Sequence, residues 1–248
     1  LTVIFGGSTG IEVSTVVASA TIGSVAQRKE NVFRQYKTEL ICAGVAAGVT
    51  ALFGSPIAGI LFAFEVISKK VTRAFLISNL IAVVVAFGLI FLMNEKPLFN
   101  VAITTWHIKA IPYFILLGIL AGLNSVYLTR CVLFFKSQFS KINTHYYKIL
   151  VGSTVLSISL FLFPQLYGEG YHSIKTIFGN STEIPLTLTL ALTFFGLILL
   201  KPIVTSMTLA SGGDGGVFAP SLFIGAFLGL LIASILNTFL NAGVIPIN

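Results

Sequence analysis

The sequence predicts an all-α integral membrane protein built from full spans together with shorter, broken helices. Three observations carry that prediction. Of the 248 residues, 56% are hydrophobic and 9% charged, with a mean hydropathy of +0.98, too little polar surface to coat a soluble globule of this size. Apolar runs come in two lengths, some near the ~20 residues that cross a bilayer and others shorter and hinged at Gly and Pro. A glycine turn, Gly6 to Ser14 (GGSTGIEVS), returns near the other end as Gly212 to Pro220 (GGDGGVFAP). Both read Gly-Gly, two variable residues, Gly, and then Ile11 or Val217 opening an apolar run. Strand alternation is absent and lipid accepts only helices or closed barrels, so the segments read as helices.

In chain order, Ile11 to Ala26 is a short run, followed by a polar stretch holding Arg28, Lys29, Arg34 and Lys37. Thr38 to Phe53 and Ile57 to Ser68, hinged at Gly54-Ser55-Pro56, read as a re-entrant pair that returns to the side it entered from. Small residues there, Ala43 to Gly48 and Gly59, permit close helix packing. Full spans are expected at about Ala74 to Met93 and Ile111 to Phe135, then Ile149 to Phe163. A polar segment with Gly168 to His172 (GEGYH) precedes Leu186 to Leu209, which Lys201-Pro202 is expected to interrupt, and Val217 to Leu240 closes the pattern. Trp106, in the connection 94–109, suits a membrane interface.

The formal charge is +7, from 15 Lys+Arg against 8 Asp+Glu. In so apolar a chain this charge orients loops and does not point to nucleic acid. Loops 27–37, 69–73 and 130–148 hold eleven basic residues and fall on one side of the alternating spans, against three in 94–109 and 164–186, so the first group is expected to face the cytoplasm. Cys42 and Cys131 lie in apolar runs without ligand spacing and read as core residues. His107, His145 and His172 lack spaced partners, so no metal site or cofactor is expected. Neither a nucleophile with its base nor an H-E-x-x-H set occurs, and the protein is not expected to be an enzyme. The chain begins without Met and ends soon after an apolar run, and is expected to be part of a longer protein.

A glycine turn opening a helix presents unpaired N–H groups at the positive end of the helix dipole, which suits an anion. Two such turns could face one ion. As the alternative, both are ordinary tight helix starts with glycine for packing.

At these residues the chain resembles the CLC family of chloride channels and proton-coupled chloride transporters. GSPIAGILFAFEV (Gly54 to Val66) is similar to the family's G/N-x-P-L/I-A-G-x-L-F-x-x-E signature, and SGGDGGVFAPSLFIGAFLG (Ser211 to Gly229) to its G-G-[IV]-F-x-P anion-site signature. GEGY, Gly168 to Tyr171, stands where the family has a glycine-rich motif. The resemblance implies a CLC-type inverted-repeat bundle, one transmembrane domain over 1–248 with halves near 1–94 and 110–248, and a homodimer with one anion pathway per subunit in the plasma (inner) membrane. It also implies that Gly10 and Ile11 at one turn, with Val217, Phe218 and Ala219 at the other, offer backbone N–H groups to chloride, donors that attract without a full charge. Phe218 would add an aromatic edge, and Asp214 reads as a helix cap. The family's anion-binding serine and tyrosine motifs do not occur here.

Thr9 stands where the family's G-[RK]-E-G-P motif has a glutamate that gates the anion path and carries the proton in exchangers. A hydroxyl does neither. Ser8 and Ile11 replace the motif's basic residue and proline. Glu12 could supply the lost carboxylate, but its spacing from Thr9 is also that of a capping box. Exchangers usually carry a second glutamate after L-F-x-x as an internal proton relay, whereas this chain has Glu65 followed by Val66, as the family's channels do. Glu65 then reads as a structural carboxylate. Lys201 sits mid-run, either raising the local potential felt by anions or snorkelling or paired with a carboxylate at the Pro202 kink. With both proton carriers absent, the resemblance implies passive chloride conduction. A coupled exchanger using Glu12 or a residue outside this sequence, fluoride as the ion, and a non-conducting subunit are the alternatives.

Overall fold

The computed structural model describes residues 2–29, 35–68, 70–94, 108–180 and 187–240. They form nine α-helices, and the chain divides into two compact units, residues 12–100 and residues 1–11 with 101–248. Trp106, His107, Arg34 and Lys69 lie outside the described residues, as does most of the 94–109 connection.

In the unit 12–100, α1 covers Glu12–Lys29, α2 Lys37–Phe53, α3 Pro56–Ala63 with a π turn over Phe64–Ser68, and α4 Arg73–Leu92. The hinge falls where Gly and Pro demand it. Gly54 ends α2 in the left-handed region (φ 63°), donating its N–H to the Thr50 carbonyl; Ser55 then caps α3 by accepting from the Ala58 amide, with Pro56 in the first turn. Helix α2 is central and packs on α1, α3 and α4. Glycines set the spacing: a Cβ at Gly44 of α2 would lie 3.0 Å from the Ser19 carbonyl carbon, and one at Gly59 of α3 3.2 Å from that of Ala46 on α2. Cys42, Val45, Val49, Phe75 and Val83 fill the core, so Cys42 is the core residue its surroundings predicted. The opposite face of α4, including Leu76, Ile77, Leu80 and Ile81, is exposed, as a lipid-facing span requires.

In the other unit, α5 covers Ile111–Ser140, α6 His145–Leu162, α7 Tyr171–Asn180, α8 Leu188–Ala210 and α9 Phe218–Leu240. Helix α8 is central, packing on α5, α6 and α9. The interruption expected at Lys201-Pro202 does not occur, because α8 runs through Pro202. Proline deletes one ladder bond, that to the Ile198 carbonyl; with Ile198, Lys201 and Pro202 all buried, packing holds the helix through the defect. Helix α5 runs five residues beyond the expected Phe135, and α6 begins four before the expected Ile149. Helices α4, α5, α6, α8 and α9 are long and apolar enough to cross a membrane, and the protein is an integral, multi-pass membrane protein.

Candidate anion site

Two turns meet in the unit formed by residues 1–11 and 101–248. The first folds on itself: the Gly6 N–H donates to Val3 O (3.0 Å), that of Gly7 to Thr2 O (2.8 Å) and that of Thr9 to Gly7 O (3.0 Å). The second leaves α8 with the Gly213 N–H donating to Thr208 O at 2.9 Å. Gly10 and Gly216 then exchange both main-chain hydrogen bonds, each 2.9 Å, as an isolated antiparallel bridge. The repeat seen in the sequence is thus a physical pair. Its close approach needs a glycine at 215, where φ is 144° and a Cβ would lie 2.6 Å from the Thr9 Cβ.

Side chains lock the pair. Thr9 is fully buried and its hydroxyl donates to the Asp214 carbonyl at 3.2 Å. Ser8, also fully buried, meets the Thr205 hydroxyl at 3.4 Å. The Asp214 amide donates to Thr2 Oγ1 at 2.9 Å. Thr2 and Thr205 were not singled out by sequence reasoning. The T-x-x-T run Thr205 to Thr208, a cluster of hydroxyls one turn before the second glycines, was the available signal.

The donor set differs from expectation at Gly10. The N–H of Gly10 is engaged by Gly216 and is not open to an ion, because pairing two glycine backbones antiparallel satisfies their amides mutually. Helix α9 begins at Phe218, so the amides of Val217, Phe218 and Ala219 stand at its first turn, where the dipole is positive. Among the described residues no acceptor engages the Val217 or Ala219 amides. Ile11, Val217 and Phe218 are exposed and Ala219 is buried.

The remaining candidates separate. Glu12 is the first residue of α1 and is buried, a position the helix dipole favours for a carboxylate. Glu65 and Val66 lie on the π turn after α3, both exposed, in the unit 12–100. Lys201 on α8 is fully buried, its ammonium donating to Gly168 O (2.8 Å) and Leu166 O (3.3 Å), with the Phe223 ring centroid 4.7 Å away. Its hydrogen-bond partners are thus carbonyls of the 164–170 loop.

Broken helices, lipid-facing spans and two paired glycine turns at helix starts define a membrane protein of the CLC fold class. The family model for the voltage gated chloride channel matches residues 1–248, and the chain belongs to that family. It is 28% identical over 248 residues to the voltage-gated ClC-type chloride channel ClcB of Shigella boydii serotype 18, covering 98% of this chain and 57% of that protein. The ClcB of Escherichia coli strain K12 / DH10B matches to the same extent. The chain therefore spans a little over half the length of these relatives. Among solved structures it is similar to a CLC-type fluoride/proton antiporter (TM-score 0.77, 24% identity, 97% of this chain and 58% of that one). It is likewise similar to a slow cyanobacterial Cl-/H+ antiporter (TM-score 0.78, 22% identity, 95% and 55%). At these identities the likeness concerns the fold.

Proposed function

We propose that the protein is a passive chloride channel of the plasma (inner) membrane, not coupled to protons and acting as a homodimer. The observation that carries this reading is Thr9. The position at which the family places a mobile glutamate holds a buried hydroxyl that donates to Asp214 O, joining the two turns instead of swinging between them. A hydroxyl so held neither competes with chloride nor carries a proton. The anion would meet the amides of Val217 and Ala219 at the α9 terminus, beside Phe218 and Ile11; Gly10 contributes by holding the turns together.

The test is simultaneous measurement of chloride and proton flux in liposomes holding the full-length protein. Chloride flux without proton movement is the expected result, and stoichiometric proton pumping down a chloride gradient overturns the reading. The second reading, an antiporter with a non-standard carrier, is favoured by the burial of Glu12 at the head of α1. It requires Glu12→Gln to abolish proton movement while chloride flux persists. The channel reading requires the variant to leave the ion stoichiometry unchanged.

A further inference from the structure

Lys201 is a fully buried cation within a span, costly unless its donors are satisfied. Its two carbonyl partners belong to the loop between α6 and α7, where Leu166 and Gly168 are buried. That loop in turn grips the first glycine turn. The Tyr167 hydroxyl donates to Ile4 O at 2.8 Å and the Gly168 N–H to Gly6 O at 3.5 Å; a Cβ at Gly6 would lie 2.9 Å from the Tyr167 ring. From Gly6 the chain reaches Thr9 and Gly10, which pair with the second turn. On the other side, Phe223 of α9 lies under the Lys201 ammonium and fills the space that a side chain at Gly170 would need.

We propose that Lys201 is a positioning residue of the anion site: its hydrogen bonds to Leu166 O and Gly168 O fix the 164–170 loop, which through Tyr167 and Gly168 fixes the Gly6–Gly10 turn. Charge-assisted bonds to two carbonyls of one loop hold that loop more firmly than neutral donors would. The ammonium thus acts through the backbone, with two of its donors taken up by that loop. The functional consequence rests on the channel reading above, while the chain of contacts stands independently of it.

The experiment is a double-mutant cycle of Lys201→Met and Tyr167→Phe in the full-length protein, read as the chloride-to-thiocyanate permeability ratio and as the thermal midpoint. Tyr167→Phe leaves the charge in place and removes only the bond to Ile4 O. Each single variant is expected to shift the ratio in the same direction by roughly threefold or more, and the double variant by no more than the larger single, since both break one strap. If Lys201→Met does not fold, Lys201→Gln, which keeps two donors without the charge, takes its place. A wild-type ratio in Tyr167→Phe beside a large loss in the Lys201 variant, or independent multiplication of the two effects, overturns the proposal. If the wild-type protein conducts no anion, the channel reading fails. The thermal midpoints then decide the strap, with non-additive losses supporting it and additive losses overturning it.

Discussion

Gly215→Ala is the most searching perturbation of the paired turns. At φ 144° this residue occupies a region that L side chains rarely adopt, and the added methyl would lie 2.6 Å from the Thr9 Cβ and 3.0 Å from the Gly10 carbonyl oxygen. Backbone strain of that kind costs ~1–3 kcal/mol. Forcing a methyl into a closed contact costs ~1–3 kcal/mol more, and the atoms that must yield first are those of the Thr9 side chain, followed by the Gly10 carbonyl oxygen of the Gly10–Gly216 bridge. The combined penalty, about 2–6 kcal/mol, matches or exceeds the ~2 kcal/mol net worth of the two bridge hydrogen bonds together, so the pair should open. Gly225→Ala is the matched control. Gly225 is helical with nothing within 4 Å of its Cβ position, so alanine should be neutral or stabilising by ~1 kcal/mol. The assay is the thermal midpoint of purified protein, with and without chloride. Gly215→Ala should lower the midpoint by about 4 °C or more and abolish stabilisation by chloride, while Gly225→Ala retains both. Matching behaviour of the two variants would refute the claim that the paired turns form the site.

Three further outcomes are expected. Thr9→Val keeps the shape but removes the bond to Asp214 O, so stability should fall by ~1 kcal/mol in a melting assay while chloride flux stays free of protons. Thr9→Glu should place a carboxylate in the anion path, slowing chloride efflux at neutral pH and restoring it as the solution is acidified and the carboxylate protonates; flux that is fast at every pH would count against Thr9 as the gate position. Asn79 on α4 is fully buried and, among the described residues, its amide oxygen finds no hydrogen-bond partner. Asn79→Leu should therefore be neutral or stabilising by ~1 kcal/mol, measured as residual folded protein after heating.

Much of the site was legible before any coordinates. The glycine repeat pointed to the meeting turns, and Gly54-Ser55-Pro56 marked the hinge to within a residue because each of those residues has one dominant backbone use there. Two readings failed for a common reason. Gly10 looked like an open donor and Pro202 like a break, and both judgements considered the local chain alone. The acceptor for Gly10 is Gly216, distant in sequence, and the integrity of α8 at Pro202 comes from its neighbours. For Lys201 the sequence does not separate the two roles, since its carbonyl partners on the 164–170 loop follow no side-chain pattern.

The amino-acid order by itself determined the solvent, the helical class and the places where the backbone must turn, because burial in lipid, helix periodicity and glycine or proline geometry are local and compositional. Tertiary structure alone decided which N–H and C=O groups are already paired within the protein. That choice is made by contacts such as Thr9 with Asp214 and Lys201 with Gly168, between residues brought together only by packing.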